Sequence, residues 1–254
     1  MNILIFNFKG GAAKSTTSSI VASWLPDANL YELDHINQSD ARLNTSDYYQ
    51  SHQIDFKNET SDSFFEFENA LLNGETNVID VGSVMLSNFI TSMKSAALWS
   101  QIDLVIIPSM DGSDDFVVAD KFIQNIDEIP ADKIIFSFNR FNNFEYESVQ
   151  EQFDAFFKNT ATLKKRYGID LDDESNWFAI KDSKAIKRAR SEGVPLRALV
   201  DSDLQAITAE QRAETDREKR LILTRKRGLI NNAQNLYRDY IEPAMTKIAA
   251  KLEA

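Results

Sequence analysis

The stretch Ile3-Leu4-Ile5-Phe6-Asn7-Phe8-Lys9-Gly10-Gly11-Ala12-Ala13-Lys14-Ser15-Thr16-Thr17 decides how the rest of the chain is read. It opens with consecutive apolar residues, breaks at two glycines, and closes on a lysine followed by hydroxyls. Downstream, Ile20, Val21, Trp24 and Leu25 recur at helical spacing. The order is buried strand, glycine turn, helix N-terminus.

Such a turn suits a nucleotide triphosphate. Backbone N–H groups in the first helical turn have no intrahelical partner, and the helix dipole favours an anion there. Lys14 is placed to neutralise β- and γ-phosphates, and the Ser15 hydroxyl to hold Mg²⁺. The common pattern G-x-x-x-x-G-K-[ST] is not met, because Phe8 and Ala13 stand where its glycines belong. An ordinary basic turn would account for the lysines alone, but strand, turn, helix and both lysines agree in context. Ala13 is the weak point: its Cβ is harmless at negative φ and costly where only glycine fits.

What remains intact, Lys9-Gly10-Gly11-x-x-Lys14-Ser15, resembles the deviant P-loop of the ParA/MinD family of ATPases. The resemblance implies ATP/ADP and Mg²⁺ as cofactors, with Gly10, Gly11, Ala12, Ala13, Lys14, Ser15 and Thr16 cradling phosphates. It also implies an ATP-dependent homodimer in which Lys9 reaches the partner's phosphates.

The remaining segments extend this resemblance. Asn29–Asp34 reads as a second strand, and Asp34 matches the family's switch carboxylate, which positions the attacking water. The family's Asp-x-Asp-Pro-Gln is here Glu32-x-Asp34-His35-Ile36-Asn37-Gln38, with His35 read as a polar loop residue rather than a base. From Ser39 to about Asn73 the chain is polar; Tyr48-Tyr49 and the Phe64, Phe65 and Phe67 cluster read as a helix stripe on the sheet. Thr76–Gly82 is a strand whose Asp80 resembles the Walker B aspartate that contacts Mg²⁺ through water. Asp103–Pro108 and Lys133–Arg140 are further buried strands. In relatives an Asn at position 139 reads the adenine edge; a turn-forming Asn with Arg140 after a strand is the plainer reading. Residues 144–167 look helical, with Val149, Phe153, Phe156, Phe157 and Leu163 inward. Asn176–Ile180 is the last strand. The following Lys181-Asp182-Ser183, capped helix and Gly193-x-Pro195 resemble the family's loop beside the nucleotide base.

The C-terminal part reads as helical. Ser202-x-x-Gln205 and Thr208-x-x-Gln211 are candidate capping boxes. Ile222, Leu229, Ala233, Leu236, Tyr240 and Ile241 trace one apolar stripe, and Pro243 should kink that helix or start another. The expected fold class is α/β, a mostly parallel central sheet with helices on both faces, as in P-loop NTPases. Residues 1–254 are expected to form one domain, with 201–254 a helical extension packed on it.

Apolar residues make up 43% of the 254, enough for a substantial core. With no cysteine, disulfides and thiolate metal sites are excluded. Apolar runs fall far short of the roughly 20 residues that span a bilayer, and the first residues are core strand, not a signal segment. A cytoplasmic, nucleoid-associated location is expected. Nothing precedes the first strand to house a helix-turn-helix, so operator binding is not expected of this chain.

Net charge is −11 but uneven: residues 1–150 hold 8 Lys and Arg against 22 Asp and Glu, whereas 151–254 hold 20 against 17. Two basic clusters stand out, Lys181, Lys184, Lys187, Arg188 and Arg190, then Arg217, Lys219, Arg220, Arg225, Lys226 and Arg227. Each alone reads most simply as a solvated helix face. ParA-like ATPases bind non-specific DNA through C-terminal basic residues, and the resemblance makes these the candidates here, Lys181 excepted because it falls beside the base. The function implied is a partition ATPase, with slow hydrolysis stimulated by a centromere-binding adaptor. A MinD-like positioning ATPase would need a strongly apolar C-terminal amphipathic helix, and Met245–Ala254 holds only three large apolar residues, so no membrane is expected. The same phosphate loop would also serve a metabolic ATP-dependent ligase, or a non-hydrolysing module with altered switch loops.

Overall fold

The computed structural model describes residues 1–33, 47–54 and 61–253. Strand β1 (Asn2–Ile5) is buried along its whole length, so both of its faces must be covered. Ile3 and Ile5 pack in one layer with Ile20 and Val21. Leu4 and the following Phe6 pack in the opposite layer with Phe89 and Phe122. The strand's period of two thus divides the core into two halves separated by a sheet.

Around β1 the described residues form a seven-stranded parallel sheet in the order β3-β2-β4-β1-β5-β6-β7. The strands are β2 (Ala28–Leu33), β3 (Tyr49–Gln53), β4 (Thr76–Val81), β5 (Leu104–Ser109), β6 (Ile134–Phe141) and β7 (Trp177–Lys181). Helices α1 (Lys14–Trp24), α8 (Lys184–Glu192), α9 (Leu196–Val200), α11 (Arg217–Leu236) and α12 (Glu242–Glu253) cover one face. Helices α2 (Asp62–Leu72), α3 (Leu86–Ser95), α4 (Ser113–Ile123), α5 (Val149–Gln152), α6 (Asp154–Phe157) and α7 (Thr160–Tyr167) lie on the other. Helix α10 (Leu204–Ala213) pairs with the start of α11. At β1 the chain leaves toward the face opposite to that taken after β4 and β5, which opens a crevice at the strands' carboxyl ends.

Register is fixed at the other end of the sheet by amides. Asn2, Asn77 and Asn29 are aligned across β1, β4 and β2. Asn77 Nδ2 donates to Asn2 Oδ1 at 2.8 Å and to Ala70 O at 2.7 Å. Asn2 Nδ2 donates to Leu71 O at 3.0 Å and Gln101 O at 2.8 Å. A one-residue slip would leave these buried amides unpaired, so the ladder rejects it.

The sequence expectations need correction in four places. Tyr49 lies in a strand, β3, whose polar run Tyr-Gln-Ser-His-Gln shows no apolar alternation to mark it. Residues 144–167 do not form one helix; Phe153 and Asn159, at φ −100 and −105°, divide them into α5, α6 and α7. Neither expected capping box forms: Asp203 caps α10, accepting from Gln205 N and Ala206 N, while Thr208 lies inside the helix and donates to Leu204 O. The apolar stripe on α11 does not begin at Ile222, which is 62% exposed. Pro243 behaves as expected, with a π-helical turn over Tyr237–Ile241 and a new helix from Glu242. Asp34, His35 and the Ile36-Asn37-Gln38 segment lie outside the described residues.

Candidate nucleotide cleft

The crevice holds a cleft of about 340 Å³, floored by Gly10, Gly11, Ala13, Lys14, Ser15 and Thr16. That is within the size range of small-molecule sites. Helix α1 begins there with no side-chain cap, so its first N–H groups are left for a ligand in the cleft. Ala13 takes φ 63°, ψ 25°, the left-handed region in which its Cβ is strained. The methyl-bearing residue therefore stands where the backbone asks for glycine, and the weak point foreseen in the sequence is real. Ala12 is buried beneath the loop and does not reach the cleft.

The loop is tied down from below. Asn7 Nδ2 donates to Pro108 O at 2.5 Å, and Lys9 N donates to Asn7 Oδ1 at 2.8 Å. Lys14, 8% exposed, points its ammonium into the loop and donates to Lys9 O at 3.0 Å.

Lys9 does not line the cleft. Its ammonium instead pairs at 2.5 Å with Asp115 Oδ2 in the first turn of α4, where Asp115 is buried and Lys9 remains 40% exposed. The hydrogen bond to Asp115 holds the Lys9 ammonium above the ordinary lysine range, opposed by partial desolvation and supported by Asp114 and Asp111. Lys9 is thus charged and turned away from its own phosphate floor.

Opposite the loop, Glu32 and Asp80 face each other across adjacent strands in register, both buried and both lining the cleft. Gly82 and Ser83 continue that wall. Glu32, Ser83 and Asp115 were not singled out from sequence. Glu32 carries a signal, since it lies two residues beyond Leu30 on the α1 side of β2. Asp115 carries none, being 106 residues from its partner.

The far wall comes from β6, β7 and α8. Asn139 lines it, 2% exposed, with Nδ2 donating to Ser137 O at 3.0 Å and Oδ1 accepting from the Thr17 and Ser137 hydroxyls at 3.4 Å. Arg140 is exposed at φ 60°, beside a bulge in β6. Gln152 holds that bulge: its Nε2 donates to Arg140 O at 3.2 Å and its Oε1 accepts from Asn142 N at 2.7 Å. Lys181 lies over the Phe144 ring at 5.0 Å, and Asp182 pairs with Lys187 at 2.8 Å.

Helix α8 divides the first basic cluster between two surfaces. Lys187 and Arg190 of α8 line the cleft. Lys184, Lys187 and Arg188 line a second groove together with Arg225 and Lys226 of α11. That groove has an apolar floor of Leu199, Ile222 and Leu229, and its acidic member, Glu192, is paired with Arg188 at 2.6 Å. The fold thus brings parts of both clusters onto one face. Arg217 and Lys219 are exposed at the start of α11, Arg220 donates to Glu214 O, and Arg227 is half-buried.

No protein-family model matches the sequence, and no curated protein matches it. The structure is similar to a chain of the MinC:MinD cell division protein complex of Aquifex aeolicus, with TM-score 0.51, 13% identity, and coverage of 79% of this chain and 88% of that one. The MinD cell division protein of Aquifex aeolicus aligns at TM-score 0.48 and 15% identity over 79% of this chain and 89% of that one. A Borrelia burgdorferi protein described as a plasmid partition protein, bound to AMPPNP, aligns at TM-score 0.47 and 18% identity, over 75% and 88%. The likeness to the MinC:MinD chain is one of fold.

Proposed function

We propose that this chain is an ATPase whose ATP-bound form is a homodimer that holds DNA non-specifically, in the manner of ParA-type partition proteins. The observation that carries this reading is the position of Lys9: charged, adjacent to the phosphate loop, yet directed out of its own cleft onto Asp115. A lysine in that place serves a second phosphate chain better than its own. Lys14 is the cation for the cis phosphates, and its loss should abolish productive nucleotide binding.

The donor set also fits a hard divalent cation. The Ser15 hydroxyl and the Asp80 carboxylate are oxygen ligands on the same cleft, with Glu32 beside Asp80 in register. Mg²⁺ held by Ser15, and by Asp80 directly or through water, would offset charge on the phosphoryl oxygens. Asn139 and Arg140, with Lys181 and Asp182, occupy the wall assigned to the base. Asn139 commits one of its two Nδ2 hydrogens to Ser137 O, which leaves the second to be offered there.

For the DNA, the support is the groove between α8 and α11, where Lys184, Lys187, Arg188, Arg225 and Lys226 converge. One protomer's five cations make a weak phosphate footprint, and two protomers would double it. A membrane role is less well supported, because Ala244 and Ile248 of α12 are buried against the sheet and Met245 and Leu252 pack beside them. Among the described residues no helix is long and apolar enough to cross a membrane. A centromere-bound adaptor that triggers hydrolysis completes the proposed cycle. The test is DNA affinity as a function of salt, with an ATP analogue and with ADP. A steep salt slope that appears only with the ATP analogue is expected; a flat slope, or equal affinity in both states, would remove the DNA function.

A further inference from the structure

Arg190 differs from the other cations of α8. Its Nη1 donates to the Thr16 hydroxyl at 3.0 Å, joining residues 174 apart, and it lines the cleft rather than the α8–α11 groove. Lys187 is paired with Asp182 and Arg188 with Glu192 in exposed ion pairs that weaken their charge without cancelling it. Among the described residues Arg190 has no carboxylate partner; it is anchored by a neutral hydroxyl and keeps its full charge at the cleft rim.

Thr16 stands in the first turn of α1, beside the backbone N–H groups that have no side-chain cap. A phosphate chain settling on that helix terminus would meet the Arg190 guanidinium at Thr16. The planar fork has donors left over after the Thr16 bond, and these suit phosphate oxygens. With Lys9 committed to Asp115, a single protomer otherwise relies on Lys14 at its phosphate floor.

We propose that Arg190 is a nucleotide-binding residue, a cation supplied in cis to the phosphate chain beside Thr16, and not part of the DNA surface. This inference rests on the nucleotide reading of the cleft. It gives α8 two duties on two faces: Arg190 toward the nucleotide, Lys184 and Arg188 toward the groove. The helix is also tied to α11, since Ser183 Oγ donates to Asn232 Oδ1 at 2.8 Å.

The experiment is titration of a fluorescent ADP analogue, with Mg²⁺, into wild type, Arg190→Ala, Arg190→Gln, Arg190→Lys and Arg188→Ala. Thermal midpoints confirm that each is folded, and Arg190→Gln keeps a donor for Thr16 while removing the charge. Arg190→Ala and Arg190→Gln should bind about tenfold more weakly, the loss of one charge-assisted contact. Arg190→Lys should recover part of that affinity, and Arg188→Ala should match wild type. Equal affinity in wild type, Arg190→Ala and Arg190→Gln overturns this inference alone. So does an Arg190→Gln variant that loses DNA affinity with nucleotide affinity unchanged. Wild type that binds neither ADP nor an ATP analogue overturns the cleft reading and this inference together.

Discussion

Ala13 shows how one methyl group can be legible in sequence before its cost is known. The pattern flagged a missing glycine, and the backbone answers with φ 63° at that position. An L-residue in this conformation costs about 1 kcal/mol relative to glycine, partly offset by the greater freedom glycine gains on unfolding. Ala13→Gly should therefore raise stability by up to about 1 kcal/mol and tighten ADP binding, read by thermal shift and titration. Lys14→Ala should leave the fold intact and abolish nucleotide binding, since it removes the ammonium nearest the loop. Lys14 and Ser15 were readable because a helix start and a glycine turn put them at one spot by local geometry. Asp115 and Arg190 were not readable in these roles. Their partners lie 106 and 174 residues away, and only the closed sheet brings each pair together.

Among the elements, the strands that are apolar on both faces were legible, because parallel burial leaves a continuous hydrophobic run. The strand β3 was not, since among the described residues it lies at the sheet's edge and its residues are mostly polar. The asparagine ladder at the base of the sheet was also hidden, because Asn2, Asn29 and Asn77 acquire meaning only through register. Asn77→Ala should cost about 2 kcal/mol, measured by urea unfolding, as it strands Asn2 and the Ala70 carbonyl in the core. The segment between α7 and β7 is held by charge. The Lys164 ammonium at 2.5 Å and the Asp172 N–H hold the Asp170 carboxyl below the ordinary carboxylate range. A depressed folded pKa contributes stability above the unfolded value, and that contribution is lost as pH falls through the folded one. Asp170→Asn should thus be less stable than wild type at pH 7. The gap in urea midpoint should close as the pH falls below the ordinary carboxylate range and through the depressed folded value.

Across the chain, a central sheet with helices on both faces follows from the strand and helix patterns, and the carboxyl edge of β1 and β4 places the cleft. What the sequence left open was how far-apart charges combine. The groove between α8 and α11 joins cations from two clusters, and the Lys9–Asp115 pair holds the second lysine outside its own cleft. That pair has to open before Lys9 can serve a partner. Asp115→Asn should therefore shift the monomer–dimer equilibrium toward dimer by up to about tenfold at saturating ATP analogue, seen by light scattering across a concentration series. The most direct measurement is sedimentation velocity of wild type and Lys9→Ala with saturating ATP analogue and Mg²⁺, with bound nucleotide quantified in the same samples. Nucleotide-loaded wild type should sediment as a dimer, and Lys9→Ala should load nucleotide yet remain a monomer. Lys9→Ala dimerising like wild type, or wild type staying monomeric when fully loaded, would contradict a lysine that acts across two subunits.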